Sequence, residues 1–297
     1  MQSFSYEVKN ELIRVVEVKE CCLQSELTAL LKIGSVIYGN RIEFTNSNAA
    51  VARRVLKLVK LIYSGINTEV AVIRTKKLRK INRYVVRIFL SQQTEKLLED
   101  LKSKGFPVSN CCRRAYLRGA FLAGGSINRP ESQYRVEIAA PTRDKAMLAK
   151  KVMRKLNLIA SIYERKEKFV VYLKEFESIL DFLYLIKAET AVEKFEVARN
   201  IKEVRMQVNR LVNCETANLQ KMIDSNQRQL EDINIIRSHK IKLNAALEST
   251  IDARIKNPDM SISELAPLLF LSKSGLKYRM RRLHEIALKV VNHNKQN

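Results

Sequence analysis

Near the C-terminus, the run Ser272-Lys-Ser-Gly-Leu-Lys-Tyr-Arg-Met-Arg-Arg282 spaces cations and hydroxyls in a way that suits a groove of duplex DNA. On a helical wheel Leu276, Met280, Leu283 and Ala287 share one apolar face. Ser274, Tyr278 and Arg281 point the other way, with Lys277 and Arg282 on the flanks. Lys277 and Arg281 can donate to guanine O6 and N7, and Ser274 and Tyr278 can serve base or phosphate. These four are the candidate base readers. Lys273, Arg279 and Arg282 are candidate phosphate contacts that set register. A second basic run, Arg74 to Arg83, adds Lys76, Lys77 and Arg79 to the phosphate candidates.

These side chains need a helix held at its N-terminal end. Leu243 to Ile255 reads as a helix stopped by Asn257-Pro258. Ser261-Ile-Ser-Glu264 is a capping box, in which hydroxyl and carboxylate each satisfy a free backbone N–H. A short helix, Ile262 to Leu269, follows. Phe270-Leu271 makes the turn, and Ser272 caps a third helix running to about Val290. Two helices with so short a joint, the second longer and basic, describe a helix-turn-helix.

The rest of the chain fits that partner. Lys and Arg total 54 against 31 Asp and Glu, a formal charge of +23 over 297 residues. Such an imbalance favours a polyanion. A hydrophobic content of 46% excludes a disordered tail. No apolar run approaches the roughly 20 residues that span a bilayer, and the N-terminus lacks a signal-peptide pattern, so we expect a cytoplasmic, nucleoid-associated protein with no membrane contact. With no Trp and 7% aromatics the chain lacks a stacking platform for single-stranded RNA.

Upstream, the chain repeats itself. Glu26 to Val36 and Leu117 to Ile127 are apolar helices rich in small residues, one ending in Gly34-Ser35 and the other in Gly124-Gly125-Ser126. Gly124-Gly125 is expected to stop its helix through φ > 0. Vicinal cysteines precede each helix: Cys21-Cys22 and Cys111-Cys112. After each comes an acid-bearing strand (Ile42-Glu43-Phe44; Val136-Glu137-Ile138), an amphipathic helix (Ala50 to Ile62; Lys145 to Leu156) and two β-rich runs joined by a turn. The order helix–strand–helix–strand–strand–helix therefore occurs twice, which implies pseudo-two-fold symmetry with the two small-residue helices on the axis. Adjacent cysteines on a regular element diverge, so the expectation is reduced, buried small hydrophobes rather than a metal site across the dyad. From Ala191 to about Ile236 the spacing of Val192, Phe195, Val204, Val208 and Leu211 predicts one long helix or two. Asn209, Asn213 and Asn218 favour a break near Asn213-Cys214.

Tyr116-Leu-Arg-Gly-Ala-Phe-Leu-Ala-Gly-Gly-Ser126 resembles a LAGLIDADG motif, the dyad helix of homing endonucleases. Together with Val208-Asn-Arg-Leu-Val-Asn-Cys-Glu-Thr-Ala-Asn-Leu219 and Ser272-Lys-Ser-Gly-Leu-Lys-Tyr-Arg279, it makes almost the whole chain resemble the WhiA family of bacterial DNA-binding regulators. The resemblance implies an α+β fold: tandem pseudo-symmetric LAGLIDADG-like repeats forming a mixed helix/sheet saddle, then a long helical linker and an all-α helix-turn-helix domain. Boundaries are expected at 1–187 (repeats about 21–104 and 111–187), 188–240 and 241–297. It also implies a transcription factor tied to cell division, chromosome segregation and, in some bacteria, sporulation.

In the nucleases each dyad helix ends in an acid that holds a divalent metal. Here those positions are Ile33 and Gly124, which offer no oxygen ligand. The remaining repeat-matched acids, Glu43 and Glu137, could face the core or the sheet surface. We therefore expect no catalytic residues, metal or cofactor. The expected partner is double-stranded DNA, with a second regulator or a division or nucleoid protein as a further one; the sequence does not fix the oligomeric state, and a monomer is favoured. The rivals are a protein-binding adaptor tethered to the nucleoid and a metal-dependent endonuclease.

Overall fold

The computed structural model describes residues 3–63, 65–74, 82–102 and 105–294. Met1–Lys202 form one compact unit and Glu203–Asn297 another.

The N-terminal unit opens with α1 (Phe4–Ile13), capped by the Ser3 hydroxyl. Two copies of one pattern follow. The first is α2 (Glu20–Gly34), β1 (Ser35–Tyr38), β2 (Arg41–Asn46), α3 (Ala49–Ile62), β3 (Thr68–Arg74), β4 (Asn82–Phe89) and α4 (Glu95–Lys102). The second is α5 (Asn110–Gly124), β5 (Gly125–Ile127), β6 (Val136–Ala140), α6 (Arg143–Arg154), β7 (Ser161–Arg165), β8 (Lys168–Leu173) and α7 (Phe176–Leu185). Each copy builds an antiparallel four-stranded sheet of the same order, β1-β2-β4-β3 and β5-β6-β8-β7. The repeat thus holds one strand more than the sequence pattern predicts. β1 and β5 leave the axial helices with no intervening loop, and Val36, Ile37 and Tyr38 in β1 are exposed.

The axial helices α2 and α5 pack along each other through their small residues. A Cβ at Gly119 would overlap the Glu26 carbonyl oxygen, and one at Gly124 would overlap the Ala139 carbonyl and crowd Ile33 Cγ2. The expected φ > 0 stop is not used: Gly125 sits at φ −78° and ψ 149°, ordinary extended backbone that starts β5 directly. The glycines serve close approach instead. The joint between β7 and β8 does use the left-handed region, at Lys166 (φ 48°) and Glu167 (φ 61°), as a two-residue hairpin turn requires.

Helix α8 (Glu189–Ser238) runs 50 residues without interruption, so the expected break at Asn213-Cys214 does not occur. Asparagine costs under roughly 0.7 kcal/mol per helical position, too little to break a helix whose two ends are held by packing. At its start Ala191, Phe195 and Ala198 are buried, with Phe195 beside Phe4, Tyr134 and Phe176. Near its end Ile233 and Ile236 enter the C-terminal core. Between them Val204, Val208 and Leu211 are exposed, so the apolar spacing read there does not mark a buried face.

The C-terminal unit completes that core with α9 (Ala245–Lys256), α10 (Ile262–Leu268) and α11 (Lys273–Asn294). Leu247, Ile251, Leu265, Leu276, Met280, Leu283 and Ala287 fill it.

Candidate nucleic-acid interface

Helix α11 is set by chemistry local to its start. Ser261 and Glu264 form the capping box of α10, with Glu264 accepting the Ser261 N–H at 2.8 Å. Phe270 takes φ 52° to turn the chain, and the Ser272 hydroxyl accepts the Gly275 N–H at 3.1 Å. With Leu276, Met280, Leu283 and Ala287 buried, Lys273, Ser274, Lys277, Tyr278, Arg281 and Arg282 are all exposed, as their wheel positions require. The Arg281 guanidinium lies 5.5 Å from the Tyr278 ring centroid, which places a cation and a hydroxyl on one ridge. Arg282 pairs with Glu285 at 2.9 Å and Arg281 approaches the same carboxylate at 3.9 Å. Such exposed pairs exchange readily for phosphate.

Arg279, the remaining phosphate candidate on α11, is more enclosed than Lys273 and Arg282. It is half-buried and donates to the Ala246 carbonyl at 3.1 Å, tying α11 to the first turn of α9. Lys76, Lys77 and Arg79 lie outside the described residues.

Sequence reasoning missed Arg254. It is fully buried and donates to the carbonyls of Asn257 and Met260, at 3.2 and 2.6 Å. Asn226 of α8 donates to Pro258 and Met260 at 3.0 and 3.1 Å. Together they fix the loop that delivers Ser261 to its capping position. Nothing local marks either residue, since an arginine in a helix of mixed charge reads as surface.

The axial helices lack the ligands of a cleavage site. Ile33 and Gly124 occupy the acid positions, and the Gly124 site is filled by Ile33 and the Ala139 carbonyl, so neither a carboxylate nor a hard cation fits. Glu43 and Glu137 face the outer sheet surfaces. Glu43 accepts from Arg41 at 2.8 Å and Arg87 at 3.0 Å, and these contacts hold its carboxyl below the usual range. Arg87 also reaches Glu69 at 3.3 Å. Glu137 is bonded to Arg135 and to the Tyr163 hydroxyl, with Arg135 lying against the rings of Tyr163 and Tyr172. These rows leave the centres of both sheets electrically balanced.

The cysteines correct the expectation of divergence. Cys21, Cys22, Cys111 and Cys112 bring their sulfurs within 4.8 Å of one another. Only Cys22 is buried; Cys21 is exposed and the other two half-exposed. The axial packing that brings Gly119 onto Glu26 also brings the first turns of α2 and α5 together. Burial pushes the Cys22 thiol up, whereas hydrogen bonds with Ser109 and Cys22 bring Cys111 down to about 7.

Known proteins match this architecture from end to end. The WhiA N-terminal LAGLIDADG-like domain matches residues 20–102, the WhiA LAGLIDADG-like domain residues 113–205 and the WhiA C-terminal HTH domain residues 208–287. The probable cell division protein WhiA of Desulforamulus reducens is 42% identical, covering 97% of this chain and 96% of that protein. Its counterpart in Shouchella clausii is 40% identical, covering 98% and 95%. The crystal structure of full-length DUF199/WhiA from Thermotoga maritima superposes with a TM-score of 0.64 at 26% identity, over 97% of this chain and 99% of that one. No helix among the described residues is long and apolar enough to cross a membrane. With its paired axial helices, twin sheets and capped terminal helix pair, the chain belongs to the WhiA family.

Proposed function

We propose that the chain is a non-catalytic, sequence-specific binder of double-stranded DNA that regulates transcription. The observation that carries this reading is the exposed ridge of α11, where Ser274, Lys277, Tyr278 and Arg281 stand opposite a fully buried apolar face. A helix so presented after a tight turn suits the major groove. Lys273 and Arg282 then hold phosphate. The relatives' name, probable cell division protein, supports a role in division, and chromosome segregation and sporulation follow as the processes such a regulator would serve. Nucleoid association is the corresponding location.

The N-terminal unit keeps a nuclease architecture without its acids, which supports a binding role in place of cleavage. The ion pairs at the centres of its sheets favour a protein partner there, such as a second regulator or a division protein, while the basic run that holds Lys76, Lys77 and Arg79 would meet phosphate. Footprinting of the full-length protein on genomic fragments tests the reading. A defined protected sequence, uncut in Mg²⁺, is the expected result. Strand cleavage, or retention of DNA with no defined protection, overturns it.

A further inference from the structure

We propose that Cys21, Cys22, Cys111 and Cys112 form a tetrathiolate site for one zinc ion, which clasps the N-terminal ends of the two axial helices. Four sulfurs already converge within 4.8 Å of one another. A tetrahedral zinc with Zn–S bonds of about 2.3 Å needs sulfurs about 3.8 Å apart, so rotamer adjustment closes the set without moving backbone far. The donors are thiols only, which disfavours magnesium and calcium. A closed four-sulfur set gathered around one point suits zinc.

Two helix N-termini offset part of the cost of gathering negative charge here. All four cysteines lie in the first turns of α2 and α5, where two helix dipoles direct their positive ends. The site is braced from behind by Ser25, which donates to the Cys112 carbonyl at 2.9 Å; the Cys112 thiol, which donates to the Cys21 carbonyl at 3.5 Å, gives up that bond when it loses its proton to the ion. Exposure of Cys21 supplies an entry path. Loading forms four Zn–S bonds and releases four thiol protons to solvent, with no change in oxidation state. The resulting 2− charge rests against both dipoles and a chain of net charge +23. Because two ligands come from each repeat, the ion ties the repeats together and closes a loop around the whole first repeat.

The test uses full-length protein purified without chelator in a non-thiol reductant. Elemental analysis is expected to find one zinc per chain. Exchange with Co²⁺ is expected to give sulfur-to-cobalt charge transfer and the intense visible bands of tetrahedral thiolate coordination. Cys21→Ser and Cys111→Ser, at exposed and half-exposed positions, are expected to weaken zinc binding by at least about tenfold, the loss that follows even from disturbing residues around a metal site. Cys214→Ser, on α8 outside the cluster, keeps full occupancy. Should a cluster variant unfold, the cobalt spectrum of the unaltered protein still decides. Absence of both zinc and the charge-transfer band, iron in place of zinc, or equal zinc in the Cys21, Cys111 and Cys214 variants overturns the proposal.

Discussion

Arg118 donates to Glu26 at 2.9 Å across the axial helix pair, with both side chains removed from solvent. Glu26 also accepts from Arg54 at 2.9 Å, and Arg118 reaches Glu17 at 3.1 Å. The pair fixes the register of the two repeats. Arg118→Ala leaves Glu26 with a buried, half-compensated charge and is expected to cost about 3–5 kcal/mol. Joint replacement, Glu26→Gln with Arg118→Met, is expected to recover part of it. Urea unfolding followed by circular dichroism measures both; a loss under about 1 kcal/mol for the single variant contradicts the assignment.

Gly119 and Gly124 are close-approach residues. Gly119→Ala places a methyl on the Glu26 carbonyl and is expected to cost about 1–3 kcal/mol, the usual range for overpacking. Gly124→Asp, which restores the nuclease acid, is expected to destabilise the N-terminal unit through overlap with Ala139 and Ile33 and to yield no cleavage of plasmid DNA in Mg²⁺. Cleavage by that variant would show that the acid alone had been missing.

The capping box makes the C-terminal unit acid-sensitive. Hydrogen bonds with the Ser261 backbone and hydroxyl hold the Glu264 carboxyl below its ordinary value. A lowered folded value means that its contribution is present above the unfolded value of about 4.3 and is lost as pH falls through the folded one. Glu264→Gln keeps an acceptor and is expected to flatten that part of the stability–pH curve. Ser261→Ala is expected to cost about 1 kcal/mol at neutral pH. Thermal melts from neutral pH down to about pH 3 separate the two effects, because the carboxylate contribution fades below roughly pH 4.3 and the hydroxyl contribution does not titrate.

Much of this was legible because it is local. The Ser261–Glu264 box, the Ser272 cap and the buried face of α11 each follow from residues within a turn or two of one another. The repeat was legible because two small-residue helices carry the same punctuation. Other features depend on partners distant in sequence. Cys21 meets Cys112 only because α2 lies on α5, and wheel geometry within either helix argues against it. Arg254 and Arg118 are buried by loops and helices that no local pattern announces. The short strands β1 and β5 read as helix tails because each follows its axial helix directly, with no loop between them. At Asn213 propensity misled, since a penalty of tenths of a kcal/mol loses to packing at both ends of α8.

On DNA, Arg282→Ala is expected to weaken matched and scrambled sites alike and to reduce the salt slope by about one, since each phosphate contact contributes roughly −0.9 to it. Arg279→Ala, which removes the bond to Ala246, is expected to lower stability of the C-terminal unit more than DNA affinity. Parallel melts and binding isotherms check both.

The most direct test of the account is the affinity of full-length Arg281→Ala for its footprinted site and for a scrambled duplex at one fixed salt concentration. Recognition through the α11 ridge predicts a loss of about 1–3 kcal/mol on the matched site and a much smaller loss on the scrambled one. Equal losses on both, or none on either, would contradict it.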